Sequence, residues 1–86
     1  MTTQDTEIFD KLAELLTPFN EKNIPLKPDT EIAVDLAIYS DSVMDFVMEV
    51  EDHFDIDIPL NVLSDTHTMR DLVGVVKARV KKTQGQ

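Results

Sequence analysis

The chain has 86 residues, 42% of them apolar, which bounds it to one small domain with one economical core. It has no cysteine, so disulfides, iron–sulfur clusters, thiolate zinc sites and thiol catalysis by the chain itself are excluded. Its two glycines rule out a glycine-rich phosphate loop. Seventeen acids against eight bases give a net charge of −9, and its distribution is uneven. From Pro28 to Met69 there is no Lys or Arg, while eleven acids fall in that stretch. Such a field repels nucleic acid and anionic membranes and attracts basic protein surfaces. No apolar run approaches the roughly 20 residues of a membrane-spanning helix. The opening MTTQDTEIFDKL has neither the basic nor the apolar region of a secretory signal, so the expected location is cytoplasmic.

The first periodic segment covers residues 6–19. Ile8, Phe9, Leu12, Leu15, Leu16 and Phe19 recur at helical spacing. Acids at Asp5, Glu7 and Asp10 suit the positive end of the helix dipole. Pro18 predicts an end near Leu16 or Thr17. Residues 20–38 read as a long loop, broken by Pro25 and Pro28 and pinned to the core by Ile24, Leu26, Ile32, Val34 and Leu36.

The second main helix is predicted over residues 41–54. Val43, Val47, Val50 and Phe54 make its buried stripe. Asp41, Asp45, Glu49 and Asp52 fall nearly opposite, at about 100° per residue. Met44, Phe46 and Met48 widen the apolar zone and are expected to be partly exposed. The run Asp55-Ile56-Asp57-Ile58-Pro59 reads as an extended link without a partner strand. Pro59 is placed at the first position of a short helical turn through Leu63. The last helix is predicted over 69–80, capped by Thr68 with Asp71 three residues on. Leu72, Val73, Val76 and Val80 face the core, and residues 81–86 form a polar, frayed tail. The fold class is all-α: a small bundle of three main helices and one short one, in a single domain with an ordered core at about residues 5–80.

Little here suits enzyme chemistry. His53 and His67 lie in no ligand pattern and read as surface or boundary histidines. Asp55 and Asp57 lack the glycine and bidentate glutamate of a calcium loop. No catalytic or metal residues are assigned. Ser40 and Ser42, flanking the start of the second main helix, read two ways. A hydroxyl there satisfies free amide hydrogens as a cap. It is also an exposed oxygen on which a phosphodiester is stabilised by the helix dipole.

At this point the chain resembles a known family, the acyl carrier proteins. Asp35-Leu36-Ala37-Ile38-Tyr39-Ser40 is similar to the family run D-L-G-x-D-S. The residues from Met44 to Phe54 are similar to its second helix, and Phe54-Asp55-Ile56-Asp57-Ile58-Pro59 to its F-x-x-x-I-P ending. The resemblance implies four helices, the third being short. It also implies a 4′-phosphopantetheine, donated from coenzyme A, on a serine at the start of helix two, with acyl chains held as thioesters. Register on both flanks puts that serine at Ser40, between Tyr39 and Asp41, where the family has an acid and an aliphatic residue. The tripeptide Asp41-Ser42-Val43 matches the family's D-S-V literally and keeps Ser42 as the alternative. A two-residue slip rotates a helical face by about 200°, so the two assignments are not interchangeable.

The resemblance further implies a docking face of Asp41, Asp45, Glu49, Glu51 and Asp52, with Met44, Met48 and Ile58 on its apolar side. Its implied partners are a phosphopantetheinyl transferase and acyl-processing enzymes such as an acyltransferase or ketosynthase. A monomer without nucleic-acid partners or membrane insertion is expected. The other readings are an aminoacyl or peptidyl carrier and an unmodified acidic adaptor for a basic protein groove.

Overall fold

The computed structural model describes residues 3–38 and 40–84, with the side chains of residues 3, 40 and 81–84 outside the description. Three long helices carry the fold: α1 (Thr3–Leu16), α3 (Ser40–Phe54) and α5 (Met69–Gln84). Two one-turn helices, α2 (Ile32–Asp35) and α4 (Leu60–Leu63), lie in the connections. The all-α class is borne out, with one more short helix than the sequence suggests. Among the described residues there is no strand, only an isolated antiparallel bridge between Glu31 and Thr68.

Helix α1 stops where Pro18 makes it stop. A 3-10 turn over Thr17–Phe19 follows. The Asn20 amide then closes on the Leu16 and Thr17 carbonyls at 3.0 and 3.2 Å. The Asn20 side chain holds Ile24 in both directions, donating to its carbonyl at 2.9 Å and accepting from its amide at 3.0 Å. Buried Thr30 is satisfied by the Lys27 amide on its hydroxyl, at 2.8 Å. Beyond it the chain runs against the start of α5: the Ile32 amide reaches the His67 carbonyl at 3.0 Å, and the Met69 amide reaches the Thr30 carbonyl at 2.9 Å. These bonds explain how a connection this long stays ordered. They also set up α2, which the sequence reading treated as loop. Glu31 caps it with its carbonyl on the Asp35 amide at 2.8 Å, while Asp35 Oδ2 accepts the Glu31 amide at 2.9 Å.

The core is a single cluster of Ile8, Leu12 and Leu16 from α1, Phe46, Val47 and Val50 from α3, Met69, Leu72, Val73 and Val76 from α5, with Ile32 and Ile58. The predicted seams of α1 and α5 are borne out, with Phe9, Leu15, Phe19 and Val80 packed at its margin. Three details differ. Phe46, expected at the edge, is 1% exposed, with its ring edge-on to Phe19 at 6.0 Å between centroids. Val34, expected in the core, is 71% exposed, because α2 turns Ile32 inward and Val34 outward. Pro59 precedes the first helical residue of α4 instead of occupying it, with extended backbone (φ −61°, ψ 150°) and its carbonyl accepting the Val62 and Leu63 amides.

Helix α5 runs to Gln84, four residues past the predicted end. Gly85 and Gln86 lie outside the described residues. Thr68 and Asp71 form the expected reciprocal cap. The Asp71 amide donates to Thr68 Oγ1 at 3.1 Å, and Asp71 Oδ2 accepts the His67 and Thr68 amides at 3.1 and 3.2 Å. The His67 and then the Thr68 backbone bonds hold the Asp71 carboxyl below the ordinary carboxylate range. A depressed folded value means this contribution is complete above the unfolded carboxyl's range, about pH 4. It is lost as pH falls through the lower folded value. Because the carboxyl is exposed and screened by solvent, Asp71→Asn should cost under about 0.5 kcal/mol at pH 7. The gap from the parent protein should narrow as pH drops below about 4 in urea unfolding. A gap that is flat with pH would show that the charge contributes nothing.

Candidate functional site at the start of helix α3

Ser40 is the first helical residue of α3. Its hydroxyl and Tyr39 lie outside the described residues. The chain reaches it through the end of α2, where Ala37 adopts φ 53°. The Ala37 amide donates to the Val34 carbonyl at 3.3 Å, and the Ile38 amide to the Ala33 carbonyl at 3.0 Å. That left-handed closure ends a helix sharply and favours glycine, because a Cβ crowds the backbone there. Asp55 does the same after α3, at φ 55°, with the Ile56 amide on the Glu51 carbonyl at 3.1 Å. Ala37 stands where the D-L-G-x-D-S run has glycine. Ala37→Gly should thus raise stability by about 1 kcal/mol, read as a higher urea midpoint. A fall would show that the lost methyl packs better than the strain it carries.

Ser42 sits two residues into α3. It is half-buried, and its amide donates to Asp41 Oδ1 at 3.1 Å. The two candidate serines therefore differ in setting: Ser40 begins the helix, and Ser42 lies inside its first turn.

Down the helix, Asp41, Asp45, Glu49 and Asp52 are all exposed, and no Lys or Arg occurs between Pro28 and Met69 to neutralise them. Met44 and Met48, 41% and 57% exposed, run beside these acids. A shallow groove joins Met48, Asp45, Glu49 and Asp52 to Phe19. Two of the predicted docking residues stand elsewhere. Glu51 lies off the acidic ridge, and its Oε2 accepts the Ile58 amide at 2.8 Å, fixing the link after α3. Ile58 is a core residue at 6% exposure and presents no surface to a partner. The ridge sits on the far face because apolar and acidic residues repeat with the same helical period, half a turn apart.

Behind the ridge, a cavity of about 70 Å³ opens between α2, α3 and α5, lined by Ile32, Val34, Val43, Phe46, Leu63 and Leu72 among others. His67 also borders it and is exposed, as is His53, whose ring stacks edge-on against Phe54 at 4.9 Å between centroids. Neither histidine meets a set of metal-ligating groups among the described residues. No described helix is long and apolar enough to cross a membrane.

The family model for the phosphopantetheine attachment site matches residues 8–76. A probable acyl carrier protein of Caulobacter vibrioides is 41% identical over 49 residues. That match spans 57% of this chain and 57% of the relative's own length. The chain belongs to the phosphopantetheine attachment family. The cofactor of that attachment site is a covalently attached 4′-phosphopantetheine. The residues fit that group: a long helix begins on a serine, its first-turn amides suit an anion, and the nearby Ala37 and Asp41 are exposed.

Proposed function

We propose that this protein carries acyl intermediates as thioesters on a phosphopantetheine arm at Ser40, and delivers them to cytoplasmic lipid-biosynthetic enzymes. The observation that supports this most is that one helix carries both features: α3 begins at Ser40 and then exposes Asp41, Asp45, Glu49 and Asp52 with Met44 and Met48. The chemistry is divided between proteins. The arm supplies a thiol that esterifies the cargo. This chain's own residues present the attachment oxygen, offer a negatively charged face and keep the remainder of the surface unreactive.

The acids act before contact is made. A field of one sign raises the encounter rate with basic patches, and the exposed methionines add adaptable apolar contact once the faces meet. The transferase that loads the arm and the acyl-processing enzymes would share this face, each docking as a transient partner of the monomer. The small cavity behind α3 holds about two waters' worth of space. An acyl chain entering between the helices would therefore have to part them.

Intact mass tests the reading directly. After incubation with a phosphopantetheinyl transferase and coenzyme A, the protein should gain one phosphopantetheine. No gain would favour an unmodified acidic adaptor. The mass of the group on the thiol in native cells then separates acyl cargo from an amino acid. The docking face has its own test. Glu49→Lys with Asp52→Lys takes the net charge from −9 to −5. It should slow association with the transferase about tenfold at low salt and flatten its salt dependence. Loading rates unchanged across salt would reduce the ridge to ordinary solvated surface.

A further inference from the structure

A second groove, of about 440 Å³, lies beside the start of α3. Its walls are Pro18 and Phe19 of the 3-10 turn and Leu36 and Ile38 of the α2–α3 connection. Ser42 stands at one edge and Lys22 is on its rim. Its size falls within the usual range for ligand clefts. Three properties make it a site for something anchored at α3. Ser42 lines it, so it begins two residues from Ser40. Its walls set apolar side chains beside polar ones and come from two connections that the Asn20 clamp and the α2 closure hold in shape. Lys22 is exposed, makes no ion pair among the described residues, and brings a positive charge to a serine whose own stretch of sequence carries none. Glu21 also borders the groove, so the rim has one charge of each sign.

We infer that this groove is the resting place of the protein's own phosphopantetheine arm, with Lys22 facing the phosphodiester and Phe19, Leu36 and Ile38 taking the branched dimethyl segment. The inference rests on the carrier reading above. It assigns the arm a side: along the 3-10 turn. A partner then has to draw the arm out, trading an exposed ion pair and a modest apolar contact for its own tunnel.

The test is solution NMR on the loaded protein, with intact mass measured first. Relative to the unmodified protein, amide shifts should move at Phe19, Lys22, Leu36 and Ile38. Cross-relaxation should connect the arm's methyl groups to the Phe19 ring. Lys22→Glu, a surface change that leaves the mass gain intact, should lower these contacts about 2–5-fold, the span of one exposed ion pair. Added salt should do the same to the parent protein and much less to Lys22→Gln. Normal loading with arm contacts only to Val43 and Leu63, or with none, overturns the groove and leaves the carrier reading standing. Contacts indifferent to Lys22 overturn the ion pair's part in the site. A chain that gains no mass overturns both readings.

Discussion

Ser40→Ala should stay at its unmodified mass after exposure to transferase and coenzyme A, whereas Ser42→Ala should gain one phosphopantetheine. The difference expected is all or nothing, because an alanine has no oxygen to modify. The two serines are separated by about 200° around α3 and by 3 Å along it, so one bound orientation of a transferase cannot present both oxygens to the same reacting group. Ser40 opens the helix, where the first-turn amides have no carbonyl partner within the helix and favour a phosphate. Ser42 is half-buried, beside a carboxylate already bonded to its amide, where an added phosphodiester meets like charge at close range. Ser42 is not part of the core cluster, and far-ultraviolet circular dichroism of both variants should match the parent protein. The reverse pattern, with Ser42→Ala inert and Ser40→Ala loaded, would move the attachment to the literal D-S-V tripeptide and refute the register argument.

That register argument shows what the sequence could and could not reveal. The three long helices were legible because each repeats apolar residues for three or more turns. Helix α2 was not, because four residues leave no period to detect. Its order comes from the bridge between Glu31 and Thr68 and the bonds around it, which join positions nearly forty apart. The acidic ridge was legible residue by residue, and Glu51, which only the resemblance adds to the docking face, lies off it. On a helical projection Glu51 lies about 115° from the centre of the ridge. That offset carries its carboxylate to the Ile58 amide. Ile58 is placed on the docking face by the resemblance alone, and an alternating Asp-Ile-Asp-Ile run does not say which face is buried. The Arg79 Nε–H donating to the Asp57 carbonyl at 2.8 Å and the Glu51 bond together hold the link so that Ile58 turns inward. Neither groove was visible, since both are built from segments brought together only by the fold.

Phe46→Ala should be the most damaging single change in the core, at about 3–5 kcal/mol. The sequence reading put Phe46 at the margin with Met44 and Met48, and on α3 alone that was reasonable. Its direction lies about 70° from the centre of the apolar stripe. What buries it is the 3-10 turn after α1: Pro18 ends the helix, and Phe19 then packs edge-on against the Phe46 ring. No equivalent element covers the other side of α3, so Met48 stays exposed. A domain of this size holds only about 4–13 kcal/mol in total. The loss would thus remove a large share of its stability and lower the urea midpoint by about 2–3 M. The cost should sit towards the upper end of that range, because Phe46 already borders the small cavity and its deletion enlarges a space with little polar lining to hold water. Phe46→Leu, which keeps most of the volume, should cost about 1–1.5 kcal/mol. Met48→Ala, two residues along the same helix, should cost under about 0.5 kcal/mol. The contrast isolates burial from helix propensity, since alanine is the better helix former in both cases. If Phe46→Ala and Met48→Ala shifted the midpoint equally, the packing of the 3-10 turn on α3 would be wrong, and with it the wall that Phe19 gives the groove beside Ser42.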